Sequence, residues 1–290
     1  MKVHLTNICG IPEAMSSLYL SKRTWTPEKQ KEIQDTCAVI LDRQGKLIDI
    51  EQIRKHNEEI EQILSCAPML HDKHQMKQRL REELISETQY QACKEQFDKL
   101  MDKVIKYGVE YGHTTLLRQI KLAFVVEGIH RGAQDDLDAH AKRMEGTPLR
   151  SSTRLASFSD GEKSDWYQGK ILNAFEGLEL AGVEIPDTVT TEDGVFKRVE
   201  FGYINEKYFG TPEEQDVKRG VYPLSIPSNI MFSVQYPELG HIIQHRDSTS
   251  HAHPELRDAA ELMKEEVTKA VPQLGKNLTK IIMQPAGRRQ

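Results

Sequence analysis

No stretch of this sequence approaches the roughly 18 consecutive apolar residues that a bilayer span requires. The most apolar run, Leu122-Ala123-Phe124-Val125-Val126, is strand-sized and stands between Lys121 and Glu127, which excludes membrane insertion. Apolar residues are scarce as a class, at 38% of the chain, with aromatics at 7%. That is below the ~45–50% usual in globular proteins, yet 290 residues suffice to build a core. An excess of positive charge is missing too. Lys and Arg number 39 against 44 Asp and Glu, a net charge of −5, so the chain does not read as a binder of nucleic-acid polymers. Only four cysteines occur, Cys9, Cys37, Cys66 and Cys93, with no C-x-x-C pair. Their scatter excludes a zinc-ribbon spacing and a disulfide framework, and it suits a reducing compartment. The first residues lack a basic region followed by an apolar stretch, so a cytoplasmic location is expected and no secretory signal. The sequon Asn277-Leu278-Thr279 is then a chance match.

Also absent are G-x-S-x-G, the Walker loop and G-x-G-x-x-G, which removes the usual sequence support for nucleophile-elbow hydrolases, P-loop enzymes and dinucleotide folds. The histidines do not fill that place. His71 and His74 lie beside Lys73 and Lys77, which repel a cation, and no third ligand follows at a suitable spacing. His241, His245, His251 and His253 are denser, and the first two share a helix face at i, i+4. No glutamate lies between them to act as a general base, so no metal site is expected and a metal-dependent hydrolase is the remotest reading.

What is present is periodicity. The spacing predicts helices over Pro27 to Leu41, Asp49 to Cys66, and Ser86 to Tyr107, with Thr26 and Ser86 as caps. The stripes of Ile50, Ile53, Ile60 and Ile63, and of Tyr90, Phe97, Leu100, Met101 and Val104, serve either a core or a partner. After Gly112 the texture changes. Strands are expected over Ile120 to Glu127, Ser151 to Phe158 and Ile230 to Tyr236. A hairpin is expected over Val189 to Phe209, turning at Glu192-Asp193-Gly194, where Asp-Gly supplies the positive φ of a tight turn. Helices are expected over Arg131 to Met144, Asp165 to Leu180 with Trp166, Ile171, Leu172, Phe175 and Leu178 inward, Glu238 to His245, and Pro254 to Val271. The organisation that follows is a mainly helical extension over 1–108, an α/β (α+β) domain over 109–283 and a disordered tail over 284–290.

Within that domain Arg150-Ser151-Ser152-Thr153-Arg154 combines guanidinium forks with hydroxyls, and on a strand Ser152 and Arg154 share a face. A phosphate is well served by such donors, and a solubilising edge strand would look the same. Further along come Arg219-Gly220-Val221-Tyr222-Pro223, Gln235-Tyr236-Pro237, His241, Arg246 and His251-Ala252-His253-Pro254-Glu255-Leu256-Arg257. In order and interval these resemble the flavin-dependent thymidylate synthases, the ThyX family, with its Arg-x-x-Leu-Pro, Asn-x-Arg-Ser, a helix ending Leu-Arg, and His-Ala-Gln-x-Glu-Ile-Arg. Upstream, Gly112-His113-Thr114-Thr115 resembles the family's Gly-His-x-Ser/Thr, and Ser152-Thr153-Arg154-Leu155 its Ser-x-Arg-Tyr. The resemblance covers roughly Tyr111 to Gln273 and leaves the first hundred residues unmatched.

The resemblance implies a twisted, mainly antiparallel sheet flanked by helices, assembled as a homotetramer with sites between subunits. It implies methylation of a uridine nucleotide, dUMP by default, with hydride from FAD, carbon from methylenetetrahydrofolate and electrons from NADPH. By it Ser152, Arg154, Arg219 and Arg246 hold the pyrimidine nucleotide, Arg246 is catalytic, and His113, Thr114, His140 and His241 touch the cofactor. The chain departs from the family where the flavin motif Arg-His-Arg should stand: one alignment places Ala139-His140-Ala141 there, an ungapped count Lys142-Arg143-Met144. Gln235-Tyr236-Pro237 also replaces Asn-x-Arg, and His253 the glutamine. A weakened FAD site follows, and the alternative is a nucleotide-binding or nucleotide-modifying relative without the standard flavin site.

Overall fold

Alternation at the start of the chain builds a strand that helical periodicity overlooks. In β1 (Lys2–Cys9), Val3, Leu5 and Ile8 are buried while Lys2, His4 and Cys9 face out. Gly10 then turns the chain at φ +84°, and a Cβ there would lie 1.8 Å from the Gln119 carbonyl oxygen, so only glycine fits. Helix α1 (Ile11–Ser21) follows, with a proline in its first turn. This is a computed structural model, and it describes residues 1–66, 78, 80, 81, 83–143, 147–150, 163–246 and 252–281.

The expected helices are present within a residue or two. They are α2 (Pro27–Ile40), α3 (Ile50–Cys66) and α4 (Glu87–Ile105), with Thr26 accepting the Lys29 N–H at 3.2 Å and Ser86 the Gln89 N–H at 3.1 Å. After α4 the chain widens into a π-turn (Lys106–Glu110), where a Cβ on Gly108 would collide with the Leu117 side chain. There follow α5 (Thr114–Leu117), β2 (Lys121–His130), α6 (Arg131–Arg143) and β3 (Thr147–Arg150). Next come α7 (Ala174–Leu180), β4 (Thr188–Thr191), β5 (Gly194–Val199), β6 (Gly202–Asn205) and α8 (Glu214–Lys218). The chain finishes with β7 (Pro227–Gln235), α9 (Tyr236–His245), α10 (Pro254–Ala270) and α11 (Pro272–Gly275).

Four strands form one sheet in the order β1-β2-β7-β3, and β4-β5-β6 form a second. β3 runs antiparallel to β7 with Leu149 opposite Met231, and both pairings of the second sheet are antiparallel. The fold is thus mixed α/β, as the sequence implies. Among the described residues no helix is long and apolar enough to cross a membrane.

Two expectations need correction. Asp165 to Leu180 is not one helix: a single 3-10 turn spans Asp165–Tyr167, and the chain is broken by Gly169 at φ +68° before α7 begins. Ile171, Leu172 and Leu178, read as inward, are exposed. Glycine with positive φ stops the helix, and Asn173 with Glu176 starts a new one through a reciprocal capping box. The segment from Val189 to Phe209 is a three-stranded meander, not a hairpin, although Glu192-Asp193 does close its first turn. The strand expected over Ser151 to Phe158 and the tail from 284 lie outside the described residues.

The chain divides into two compact units. The first holds Met1–His4, Phe124–Val234 and His245–Met263, with a core that includes Phe124 and Phe232, their rings 5.7 Å apart, and Ile129, Leu137 and Leu256. The second holds Leu5–Ala123, Gln235–Gln244 and Lys264–Gln290. Its core joins Ile33, Ile40, Phe97 and Met101 to Tyr236 and Leu274, and Tyr236 donates its hydroxyl to the Leu274 carbonyl at 2.7 Å.

Candidate functional site

In the first unit two helix N-termini are capped by histidines. At the end of β2, the His130 Nε2 accepts the Ala133 N–H at 2.9 Å and so closes the first turn of α6. At the start of α10, the His253 Nδ1 accepts the Glu255 N–H at 3.2 Å. The two rings are 4.2 Å apart. Glu255 is buried between them, its Oε2 accepting the His130 backbone N–H at 3.1 Å and bonded to the His130 Nδ1. Gly132 leaves space for this imidazole, since a Cβ there would approach its Nε2 to 3.2 Å. Trp166 and Tyr167 close the cluster, 4.3 and 5.8 Å from the His253 ring.

These bonds fix the protons. A ring nitrogen that accepts an amide N–H carries none, so His130 is the Nδ1–H tautomer donating to Glu255, and His253 is the Nε2–H tautomer facing the Tyr167 hydroxyl at 3.4 Å. Burial, and next the proximity of His130, hold the His253 imidazole below its usual range. Burial pushes the Glu255 carboxyl up, but the His130 ring and backbone hydrogen bonds, with help from Ser164, outweigh it and keep the carboxyl below the ordinary value. His130, His253 and Glu255 bring potential ligand atoms within 4.8 Å of one another, but each ring's free lone pair already accepts a backbone N–H. These contacts tie the start of α10 to the β2–α6 corner.

The arginines come next. Arg246 follows α9, has 14% of its side chain exposed, and donates from Nη2 to both carboxylate oxygens of Asp136 at 3.0 Å. Arg219 follows α8 and pairs with Asp216 at 3.2 Å. Both lie in the first unit, each on its own carboxylate, and a carboxylate oxygen on a guanidinium occupies the position that a phosphate oxygen would take. Ser152 and Arg154 lie outside the described residues, and His140 sits on α6 with its side chain likewise outside. A cavity of about 580 Å³ in the same unit is lined by Glu176, Glu179, Asp187 and Glu200 with Arg198 and Phe175, and Lys163 and Arg198 pair with the first two carboxylates. Tyr236 and Pro237, in the segment that the resemblance sets against Asn-x-Arg, are buried.

The second unit holds His113, Thr114 and His241. His113 precedes α5 and is exposed, and its ring lies 6.4 Å from that of Tyr107 at 22°. Tyr111 packs edge-on to Tyr107 at 5.3 Å. Lys22 Nζ stands 4.9 Å from the centre of the Tyr107 ring and Lys106 Nζ 6.0 Å from that of Tyr111. Tyr111 and His113 are exposed and Tyr107 is half-buried. Burial pushes the Cys37 thiol up to about 12 and raises that of Cys93.

The family model described as thymidylate synthase complementing protein matches residues 52–273, reaching back into α3 well before the Tyr111 start of the resembling motifs. No curated protein matches the chain. Among solved structures it is similar to the flavin-dependent thymidylate synthase ThyX from Helicobacter pylori complexed with FAD and dUMP, at 14% identity over 92% of this chain and 93% of that one, with a TM-score of 0.44. It is also similar to the UMP/dUMP methylase PolB from Streptomyces cacaoi bound with 5-Br dUMP, at 16% identity over 63% and 82%, with a TM-score of 0.42.

Proposed function

The chain belongs to the thymidylate synthase complementing protein family, and from that premise we propose that it methylates a uridine nucleotide, dUMP by default. The family match over 52–273 carries this reading, since it spans each of the motifs from His113 to Arg257. In the proposed reaction methylenetetrahydrofolate supplies the carbon and NADPH the electrons, and FAD when bound supplies hydride chemistry. The protein contributes position and field. Arg246, with a side chain mostly out of water and already holding an anion on Asp136, is suited to fix the nucleotide and to stabilise charge on the activated uracil. Arg219, Ser152 and Arg154 complete the nucleotide contacts, while His113, Thr114, His140 and His241 contact the flavin. The family's homotetramer, with sites between subunits, and a cytoplasmic location belong to the same proposal.

No nucleophilic side chain is needed for this chemistry, which agrees with Cys37 being buried and held as a thiol. The histidine pair, each ring tied to a backbone N–H, serves architecture and is not a general base. Purified protein with a flavin spectrum that converts dUMP to dTMP when given the folate and NADPH supports the reading. Colourless protein that binds dUMP but takes up no added FAD overturns it in favour of a nucleotide-binding relative.

A further inference from the structure

We propose that the open edge of β4, with the acidic, leucine-bearing segment beside it, is a docking surface for a basic, extended peptide segment of another protein, which adds to the β4-β5-β6 sheet as a further strand. The surface lies wholly within the first unit, and the inference does not depend on the reaction proposed above.

Three observations carry it. The first is the direction of the backbone groups. β4 is the outer strand of its sheet, and among the described residues no strand pairs with its other side. The Arg198 N–H donates to the Asp187 carbonyl at 2.8 Å, and the antiparallel register sets Val189 against Phe196 and Thr191 against Gly194. Ladder bonds of this kind go to alternate residues, so Asp187, Val189 and Thr191 turn their groups toward β5 while Thr188 and Thr190 point their N–H and C=O groups away from the sheet. Proteins guard such an edge with charge or proline inside the strand, and Thr188-Val189-Thr190-Thr191 has neither. The second is apolar surface left in water. Neither α7 nor β4 contains a buried residue, and Leu172, Leu178, Leu180 and Val183 are between 42% and 76% exposed. A docked chain covers such side chains. The third is charge, which selects the occupant. Residues 171–196 hold six acidic residues and no lysine or arginine. Lys163 and Arg198 pair with Glu176 and Glu179, while Glu184, Asp187, Glu192 and Asp193 are exposed on either side of the strand. A second copy of the chain on this edge would set acid against acid, and a nucleic acid would be repelled. Lysine or arginine side chains alternating along an added strand are attracted, and the strand's own backbone completes the ladder.

The test follows the fluorescence anisotropy of a labelled peptide of alternating lysine and valine, and of its glutamate-for-lysine counterpart, with the full chain and with the triple variant Glu184→Gln/Asp187→Asn/Glu192→Gln. Amide hydrogen exchange is measured with and without peptide. All three substituted side chains are exposed, and an unchanged melting temperature confirms the fold. The lysine peptide is expected to bind the parent saturably and the triple variant about tenfold more weakly, to weaken as salt rises, and the glutamate peptide not to bind. Bound peptide should slow exchange at the Thr188 and Thr190 amides and leave that of Val189 as it was, which a loose charged contact would not do. No binding of the lysine peptide, equal binding of both peptides, or unchanged affinity in the triple variant overturns the proposal. So does a bound peptide that leaves the Thr188 and Thr190 amides unprotected, and so does self-association of the chain that protects them without peptide.

Discussion

His253 carries two duties that pull against each other. As the cap of α10 it must keep Nδ1 unprotonated, and as a half-buried imidazole beside His130 its pKa is held below the unfolded value. A depressed histidine pKa means the unfolded chain takes up a proton first. The stability this group contributes is therefore complete above about pH 6.5 and is lost as pH falls through the folded value. The lowered Glu255 carboxyl adds a second loss at more acid pH, below about 4.5. In His253→Asn, which keeps a capping side chain but cannot titrate, the melting temperature should fall less steeply than the parent's as pH drops below about 6.5. An unaltered pH profile would show that the histidine does not titrate with unfolding. At Arg246, truncation to alanine should weaken dUMP binding about ten- to a hundredfold, the loss of a charge-assisted contact of roughly 1.5–3 kcal/mol. Asp136→Asn, by freeing the guanidinium, should leave dUMP binding as tight as in the parent or tighter; isothermal titration decides both. The sequence showed Arg246 and the His253-Pro254-Glu255 run as a pattern. It could not show that Glu255 meets His130 across 125 positions or that Asp136 lies 110 positions from its arginine, because such pairs are products of packing.

Elements were legible wherever an apolar stripe repeats. α2, α3, α4, β2 and β7 follow their periodicities, and Thr26 and Ser86 cap where a hydroxyl before a helical run should. Replacing Ser86 with alanine should cost on the order of 1 kcal/mol, read as a lowered melting temperature. β1 escaped notice although Val3, Leu5 and Ile8 are inward, since a short strand at a chain start carries little periodic signal. The segment from Asp165 to Leu180 misled for the opposite reason. Its apolar residues have helical spacing, but the break at Gly169 leaves Ile171 and Leu172 facing water. The π-turn was illegible because its extra residue belongs to neither period, and it replaces the end of a helix expected to run on to Tyr107.

On the scale of the molecule, the proposed division at 108 separates residues that share a core. Leu47 donates its N–H to the Ala270 carbonyl at 2.9 Å, and Gln273 reaches Asp98 at 2.6 Å, all within the second unit. Deleting the residues before Gly108 should therefore give insoluble protein, or protein of smaller assembly size by light scattering. A truncated chain that stays folded and of unchanged size would make 1–108 an accessory. The central claim concerns chemistry, and mass spectrometry of the nucleotide tests it most directly. Full-length protein is incubated with FAD, NADPH, methylenetetrahydrofolate and dUMP, with one reaction lacking FAD. The account predicts dTMP, the uracil heavier by one methylene, in the complete mixture and none without FAD. Unmodified dUMP in the presence of bound FAD and bound nucleotide would contradict it.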